Sequence, residues 1–369
     1  MIKARIIENS RKEKTTQVNY NGFIGSCPSG ASTGSNEAAA FKKKIETEVR
    51  EFNKISKRLE NIKINKFDEL KKVEEILNNF GANIIISTEF AILHSKQGYK
   101  WLNPFSLEFP KPLGNVIGGG AHFKGHGLSF QEFLVIDNNS KSFLDSSLTN
   151  KKIHLELREE LEVYDNNFNG EMTDEGAWAP TQLDDEDVLK ILYDIARKYN
   201  ADIGLDIAAS QFYKEGKYNY RKFSFNKDEQ IDFVNNLIKK YNLFYVEDPL
   251  NENDFEGFSY IHKKNLICGD DLICTKKELL KKAVDYNSIN TIIVKPNQAG
   301  SLVKMKETLE LAKANKIKTV FSHRSGETMD TALSHLALGF NADFLKVSVF
   351  GKEREVKIQE IIKIEKTLQ

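Results

Sequence analysis

The sequence predicts an α/β fold, a (β/α)8-type barrel preceded by a smaller α+β domain. The chain has 369 residues, more than one ordinary hydrophobic core supports, so we expect one large domain and one smaller one. From about residue 105 onward, short apolar runs alternate with helical segments. The polar residues that end six of these runs are 41, 23, 25, 28 and 23 residues apart, about the length of a strand plus a crossover helix. We therefore place the domain boundary between residues 105 and 106.

The first 105 residues mix β-patterned and helical stretches. Alternation predicts strands at 2–7 and 16–20, and helical periodicity predicts helices at 36–60, 67–79 and 82–96. This part of the chain is expected to form a small α+β domain.

One segment of this N-terminal part, "GSCPSGASTGSN" at 25–36, is rich in Gly and Ser, which predicts a mobile loop. No Lys follows its glycines, so the segment does not match the phosphate cradle of a P-loop.

The ends of the predicted barrel strands carry charged residues or histidine. In a barrel of this type, the C-terminal strand ends meet at the active site. A single such residue is usually only solvated, but six in register indicate a functional site; they are Asp206, Glu247, Asp270, Lys295, His323 and Lys346. The helix between two of these strands has the expected period at Leu302, Met305, Leu309 and Ala312.

Three consecutive strand ends are acidic, at Asp206, Glu247 and Asp270. Within a few ångströms of each other they would repel and raise one another's pKa values, a conflict that a hard divalent cation resolves. An all-oxygen site with room for water or substrate suits Mg²⁺. Lys295 ends the next strand, and a lysine beside a metal and another cation is pushed toward its neutral form, which makes it a plausible base.

The segment "SHRSGET" at 322–328 places His323, Arg324 and Ser325 side by side at a strand end. A helix with Glu327 in its first turn is expected to begin there. Arg324 offers a planar fork of donors for phosphate oxygens, and Ser325 adds a hydroxyl or a helix N-terminal amide. Two further carboxylates are expected to follow early barrel segments, at Glu132 and Glu175.

Charge and composition favour a small-molecule partner. Lysine plus arginine and aspartate plus glutamate both number 53, and the pI is near 7.1, which does not favour nucleic acid or an anionic membrane. The three cysteines lack CxxC spacing, the chain opens without an apolar signal region, and no apolar run approaches the roughly 18 residues that span a bilayer. We expect a soluble protein of the cytoplasm.

Several segments together resemble the enolase family. They are "PSGASTG", "GGGAHF", "FQEF", "DEGAWAP", "GLDIAASQFY", "VEDPLNENDFEGF", "GDDL", "IVKPNQAGSL" and "SHRSGETMDT". The resemblance covers nearly the whole chain. It implies a barrel of the enolase kind and a lyase, phosphopyruvate hydratase, which interconverts 2-phosphoglycerate and phosphoenolpyruvate in glycolysis and gluconeogenesis. It also implies a homodimer or a larger homo-oligomer.

The resemblance implies two Mg²⁺ ions in each active site, the second bound with substrate. Asp206, Glu247 and Asp270 would hold the first ion, and Ser32 in the Gly/Ser-rich loop would help to complete the second site when that loop closes. Lys295 would be the base that removes the proton next to the substrate carboxylate, in line with the strategy of the enolase superfamily.

The other implied roles concern the leaving group and the rest of the substrate. Glu175 would be the acid that assists departure of the β-hydroxyl as water, with Glu132 and His122 supporting it. Lys346 would hold the carboxylate end, while Arg324 and Ser325 would hold the phosphate. The full set of implied substrate-binding residues is His122, Gln131, Glu132, His323, Arg324, Ser325 and Lys346.

Some positions depart from the family pattern. The segment after Lys346 reads "VSVFGKERE" instead of beginning Thr-Gly-Ala-Pro, Gln211 stands where an acidic residue is usual, and the N-terminal domain is shorter than usual. The altered rim favours one alternative, an enzyme of the same superfamily acting on another carboxylate acid, which would not need Arg324. The other alternative is a catalytically silent enolase-like binding protein.

Overall fold

The structure is a computed structural model that describes residues 1–31, 34–103, 108–123 and 127–368. Its N-terminal part is a three-stranded antiparallel sheet that packs on a helix. The strands are β1 (Ile2–Glu8), β2 (Lys14–Tyr20) and β3 (Phe23–Ser26), and the helices are α1 (Ile45–Ile55), α2 (Lys57–Glu60), α3 (Lys71–Ile76), α4 (Ala82–Ser95) and α5 (Tyr99–Leu102). A 3-10 turn at Phe67–Leu70 precedes α3, so the helix predicted at 67–79 is present in two parts.

Strand β3 was not predicted, and it crosses α4 very closely. A Cβ atom at Gly25 would lie 2.2 Å from the carbonyl oxygen of Ser87 and 2.3 Å from the amide nitrogen of Ala91. Only glycine fits at this crossing. The Gly-rich composition that predicted a loop therefore partly reflects a packed strand.

The helix predicted at 36–60 is wrong in its first nine residues, which are not helical. This segment instead lies across the start of α4, where the carbonyl oxygens of Ala39 and Ala40 accept hydrogen bonds from the amides of Ala82 and Asn83. The amides of a first helical turn have no partner within their own helix. Satisfying them here outweighs the local helix propensity of the segment.

Glu89 is a buried carboxyl group where α4 meets the barrel. One of its oxygens accepts a hydrogen bond from the amide of Leu302 at 2.7 Å, and the other has no hydrogen-bond partner among the described residues. Burial raises the pKa of Glu89 well above its usual value, and the charge of Glu74 adds to the effect. The contribution of Glu89 to the free energy of unfolding is fully present at pH values below the pKa that Glu89 has in the unfolded chain. This contribution is lost as pH rises through the pKa that Glu89 has in the folded chain.

We expect Glu89→Gln, which keeps an acceptor for Leu302 without a charge, to stabilise the protein by roughly 1–3 kcal/mol at about pH 8. Near about pH 5 the effect should be small, because Glu89 is then protonated in the folded state. Denaturant unfolding at both pH values measures the difference. Glu75→Gln, on the exposed side of α3, is the matched control; an equal effect of Glu89→Gln at both pH values would contradict this explanation.

The rest of the chain forms a closed eight-stranded barrel with surrounding helices and a small side sheet. Its strands, of which β7 to β9 make the side sheet, are β4 (Lys111–Gly118), β5 (Glu132–Ile136), β6 (Asp202–Asp206), β7 (Tyr213–Lys214), β8 (Lys217–Asn219), β9 (Ser224–Phe225), β10 (Tyr245–Glu247), β11 (Leu266–Gly269), β12 (Thr291–Val294), β13 (Lys318–Ser322) and β14 (Phe344–Lys346). The helices are α6 (Phe143–Tyr164), α7 (Asp185–Lys198), α8 (Lys227–Tyr241), α9 (Phe255–Ser259), α10 (Lys277–Asp285), α11 (Pro296–Ala299), α12 (Leu302–Ala314), α13 (Ala332–Gly339) and α14 (Lys352–Leu368). The predicted barrel is confirmed; the predicted domain boundary lies outside the described residues.

Around the barrel the strand order is β10, β11, β12, β13, β14, β4, β5, β6. Neighbouring strands are parallel except that β5 runs antiparallel to both β4 and β6. The first residue of β5, Glu132, therefore pairs with the last residue of β6, Asp206, at the rim where the parallel strands end. Glu132 comes after β4, as expected, but it begins a strand itself, and the reversed direction of β5 brings it to the predicted rim.

An apolar cluster fills the barrel below this rim. It draws on seven of the eight barrel strands and consists of Leu113, Leu134, Ile136, Tyr245, Cys268, Ile293, Val320 and Phe344. The interior is a packed core, so the polar strand-end residues open only toward the mouth. Across the described part of the chain, no helix is both long and apolar enough to cross a membrane.

Candidate active site

The predicted strand-end residues converge on one buried cavity at the barrel mouth. Gly30 and Ser322 line it together with ten of the thirteen predicted site residues, which are His122, Gln131, Glu132, Glu175, Asp206, Lys295, His323, Arg324, Ser325 and Lys346. Glu247 and Asp270 contact two lysines of this group. Ser32 lies outside the described residues.

Lys346, at the end of β14, binds three buried carboxylates at once. Its Nζ lies 2.8 Å from Oε2 of Glu132, 3.0 Å from Oδ2 of Asp206 and 2.8 Å from Oε2 of Glu247. Burial lowers the pKa of Lys346, but the carboxylates outweigh burial and hold the pKa well above its usual range. Lys346 is therefore a fixed cation, suited to binding an anion rather than to moving a proton.

Lys295 follows β12 and forms an ion pair with Asp270. Gln298 donates a hydrogen bond from its Nε2 to Oδ1 of Asp270 at 2.9 Å. It was not predicted from the sequence, although it stands in the motif "KPNQAG". Burial lowers the pKa of Lys295, but the charge of Asp270 outweighs it and keeps the pKa above its usual value. The neutral lysine expected from the sequence therefore depends on a cation that takes up the charge of Asp270.

The three strand-end acids fit a hard divalent cation by their donor atoms. Asp206, Glu247 and Asp270 are all buried, and Oε1 of Glu247 has no hydrogen-bond partner among the described residues. Burial raises the pKa of Glu247 well above its usual value, and the charge of Asp206 adds to this. A divalent cation would supply the missing partner and favour the ionised carboxylates.

The most compact set of possible metal ligands is a different one. Within the described ranges, one group of three His, Cys, Asp or Glu side chains has ligand atoms that all lie within 4.8 Å of one another. It consists of His122, Glu132 and Glu175. The three strand-end acids do not all lie within that distance of one another. Lys295 binds Asp270, whereas Lys346 binds Asp206 and Glu247.

Glu175 lies in the loop between α6 and α7 and faces two histidines. Its Oε1 is 3.7 Å from Nε2 of His122, and its Oε2 is 3.5 Å from Nε2 of His323. Asn115 of β4 donates Nδ2 to Oε2 of Glu175 at 3.2 Å. Asn115 was not predicted from the sequence, in which the available signal was a polar residue inside the apolar run "LGNVIGG".

The neighbouring carboxyl groups of Glu132 and Glu175 have opposite pKa shifts. Burial raises the pKa of Glu132 to about 8. Burial would also raise the pKa of Glu175, but the charge of His122 opposes it and holds the pKa well below its usual value. Burial lowers the pKa of His122, yet Glu175 and Asp174 together raise it to about 9. These opposite shifts favour a single proton shared by the two carboxyl groups.

His323 presents a neutral imidazole to the cavity. Burial lowers its pKa to about 3. Neither ring nitrogen has a hydrogen-bond partner within the described part of the chain. His323 is therefore available to a bound molecule.

Arg324 is held by the N-terminal part of the chain. Its guanidinium forms a two-pronged ion pair with Glu37, with Nη1 3.0 Å from Oε2 and Nη2 3.0 Å from Oε1, and Nη1 also donates to Oδ1 of Asn297 at 3.2 Å. At Gly30 a Cβ atom would lie 1.8 Å from Nη2 of Arg324, so only glycine allows this approach. Glu37 was not predicted as a site residue, although it directly follows the Gly/Ser-rich loop.

The helix expected to begin in "SHRSGET" is absent, since residues 323–331 are not helical and α13 begins later. Glu327 instead folds back, where its Oε1 accepts the amide of Arg324 at 3.0 Å and its Oε2 lies 2.8 Å from Nζ of Lys357. Arg354 donates to the carbonyl of Ser325 at 2.7 Å. The prediction of a helix N-terminal amide beside Ser325 is therefore wrong. Instead, Lys357 and Arg354 of α14 hold the segment in place.

Comparison with known proteins gives one consistent family. Residues 106–369 match the family model described as "Enolase, C-terminal TIM barrel domain". A protein named enolase from Methanosphaera stadtmanae is 36% identical over 402 positions, which cover 100% of this chain and 96% of the relative. The enolase of Methanothermobacter thermautotrophicus is also 36% identical with the same coverage. That of Archaeoglobus fulgidus is 37% identical over 365 positions, covering 92% of this chain and 89% of the relative.

These matches agree with the barrel and with the family predicted from the sequence motifs. The family model spans the barrel, and the relatives named above span the whole chain or nearly all of it. The chain therefore belongs to the enolase family.

Proposed function

We propose that this protein catalyses the Mg²⁺-dependent, reversible dehydration of 2-phosphoglycerate to phosphoenolpyruvate, a step of glycolysis and gluconeogenesis. The observation that carries the proposal is the placement of two proton-handling groups. Lys295 follows β12 and Glu132 begins β5, and these strands stand four places apart in the closed ring of eight. The two groups thus face each other across the mouth, as removal of a proton from one face of a substrate and protonation of a leaving group on the other requires.

Asp206, Glu247 and Asp270 would hold the first Mg²⁺, and Ser32, which lies outside the described residues, would help to hold a second one. When bound, the ions stabilise the negative charge that builds up on the substrate carboxylate as the neighbouring proton leaves. Lys346 adds a fixed positive charge on the same side. Its three ion pairs with Glu132, Asp206 and Glu247 support this role, because they keep the ammonium group in place.

Lys295 takes the proton next to the carboxylate on its Nζ. On the opposite side, Glu175 lies nearest the leaving hydroxyl, and the proton shared by Glu132 and Glu175 passes to that hydroxyl, which departs as water. His122 stabilises the ionised form of Glu175 before this transfer. The opposite pKa shifts of Glu132 and Glu175 support the assignment of acid and partner.

The phosphate would bind to Arg324 and Ser325, with the neutral His323 beside them and Gln131 lining the same cavity. The guanidinium of Arg324 already holds a carboxylate, that of Glu37, with two prongs. Phosphate oxygens suit the same fork.

An assay with 2-phosphoglycerate tests the proposed function. We expect phosphoenolpyruvate to form with Mg²⁺, to stop forming with a chelator, and to form again when Mg²⁺ is restored. Asp270→Asn should remove metal-dependent turnover with little loss of fold, because Asp270 lies at the barrel mouth, while Asp285→Asn at the exposed end of α10 serves as the control. Full activity in excess chelator would contradict the metal assignment.

The two alternatives are not favoured, because relatives named enolase match over the whole chain rather than over the barrel alone. We further propose that residues 1–105 form a capping domain, that the protein acts in the cytoplasm, and that it assembles as a homodimer or a larger homo-oligomer. The start of the family match at residue 106 supports the domain division. The resemblance to enolases supports the other two.

A further inference from the structure

The turn between β1 and β2 is docked on two loops of the barrel mouth. Oγ of Ser10 donates to the carbonyl of Ser325 at 3.1 Å, and the amide of Ser10 donates to the carbonyl of Glu327 at 2.8 Å. The next residue, Arg11, forms an ion pair with Asp174, which directly precedes Glu175. One turn of the N-terminal part therefore contacts both the anion side and the acid side of the site.

A chain of contacts leads from Arg11 to Glu175. Oδ2 of Asp174 binds the guanidinium of Arg11, and Oδ1 of Asp174 lies 3.1 Å from Nδ1 of His122. Nε2 of His122 in turn lies 3.7 Å from Oε1 of Glu175. Arg11 thus fixes one oxygen of Asp174, and the other oxygen orients the imidazole.

We propose that Arg11 is a positioning residue for proton transfer on the acid side of the site. The side chain of Asp174 is 22% exposed, so without Arg11 its carboxylate is free to turn toward water. His122 would then lose the acceptor that fixes its Nδ1–H and points its Nε2 at Glu175. No equivalent disturbance reaches Lys295, which is held on the opposite side of the mouth.

This role rests on the proposed function, because it uses the assignment of Glu175 as the group nearest the leaving hydroxyl. Under that assignment, exchange of the α-proton of the substrate depends on Lys295, and loss of the hydroxyl depends on Glu175. A residue that orients the acid side should slow the second event and spare the first. A merely structural role would lower stability and slow both.

Arg11→Ala should slow dehydration of 2-phosphoglycerate by about 10- to 100-fold. Exchange of the α-proton with deuterium oxide, followed by NMR, should continue at close to the wild-type rate. Arg11→Lys, which keeps a cation at this position, should restore part of the dehydration rate. Arg5→Ala is the matched control, because Arg5 is exposed on β1 and bonds to Gln17 of β2.

Asp174→Asn gives a second, nearly isosteric variant in case Arg11→Ala does not fold, and it should reproduce the split between exchange and dehydration. The double variant should be no slower than the slower single variant, because both changes break one chain of contacts. Parallel loss of exchange and dehydration, or multiplied effects in the double variant, would overturn the positioning role. If Glu175→Gln also loses exchange, the acid assignment itself fails, and the double variant then decides whether Arg11 acts through Asp174.

Discussion

Replacing Lys295 with alanine is expected to stop exchange of the α-proton of 2-phosphoglycerate with deuterium oxide and to slow dehydration about 10²–10⁴-fold, the usual cost of losing a general base. Glu175→Gln should slow dehydration to a similar extent but leave measurable exchange. The reason is geometric: the base follows β12, whereas the Glu132–Glu175 pair lies on the side of β5, across the barrel mouth. NMR of the substrate in deuterium oxide measures exchange, and phosphoenolpyruvate absorbance measures dehydration.

Lys277→Ala is the matched control for Lys295→Ala, since Lys277 is exposed at the start of α10, and it should change neither rate. Thermal unfolding of each variant separates a loss of chemistry from a loss of fold. Equal loss of exchange in Lys295→Ala and Glu175→Gln would show that the two groups do not have separate roles.

Arg324→Lys is expected to weaken binding and turnover of 2-phosphoglycerate even though the charge is kept. Arg324 is buried, and its fork makes two parallel contacts to a carboxylate and a third to Asn297, a geometry that an ammonium group does not reproduce. Each hydrogen bond to a charged group is worth roughly 1.5–3 kcal/mol, so losing one should cost on the order of tenfold or more. Steady-state kinetics with 2-phosphoglycerate and with glycerate, for the wild type and the variant, measure this loss and its dependence on the phosphate.

Arg158→Lys serves as the control, because Arg158 is about half exposed and pairs with Glu162 one helical turn away. Its kinetics should match the wild type. Because Arg324 also anchors Glu37, unfolding of Arg324→Lys should be measured alongside its kinetics. A wild-type preference for glycerate, or indifference to Arg324→Lys, would contradict phosphate recognition by this residue.

The chain sequence by itself determined the barrel and most of the side chains that meet at its mouth, because those features repeat locally. Neighbouring residues encode each unit of the barrel, which is a strand, a charged residue at its end and a helix with a regular apolar face. One such unit consists of β12, Lys295 and α12. The spacing of these units places the strand ends on one rim. Asp206, Glu247, Asp270, Lys295, His323 and Lys346 were found in this way, whereas the residue roles drew on the family motifs.

Only the tertiary structure decided contacts between residues far apart in the chain, because no local pattern encodes them. The antiparallel direction of β5 brings the start of that strand, Glu132, to the rim. The segment after the Gly/Ser-rich loop is irregular rather than helical, since its carbonyl groups satisfy the first amides of α4. Glu37 reaches Arg324 across 287 residues of the chain, and Arg11 reaches Asp174 across 163. Ion pairs of this kind form where folding has already brought their partners together and excluded water, and residue type alone does not show which of many charged side chains will meet.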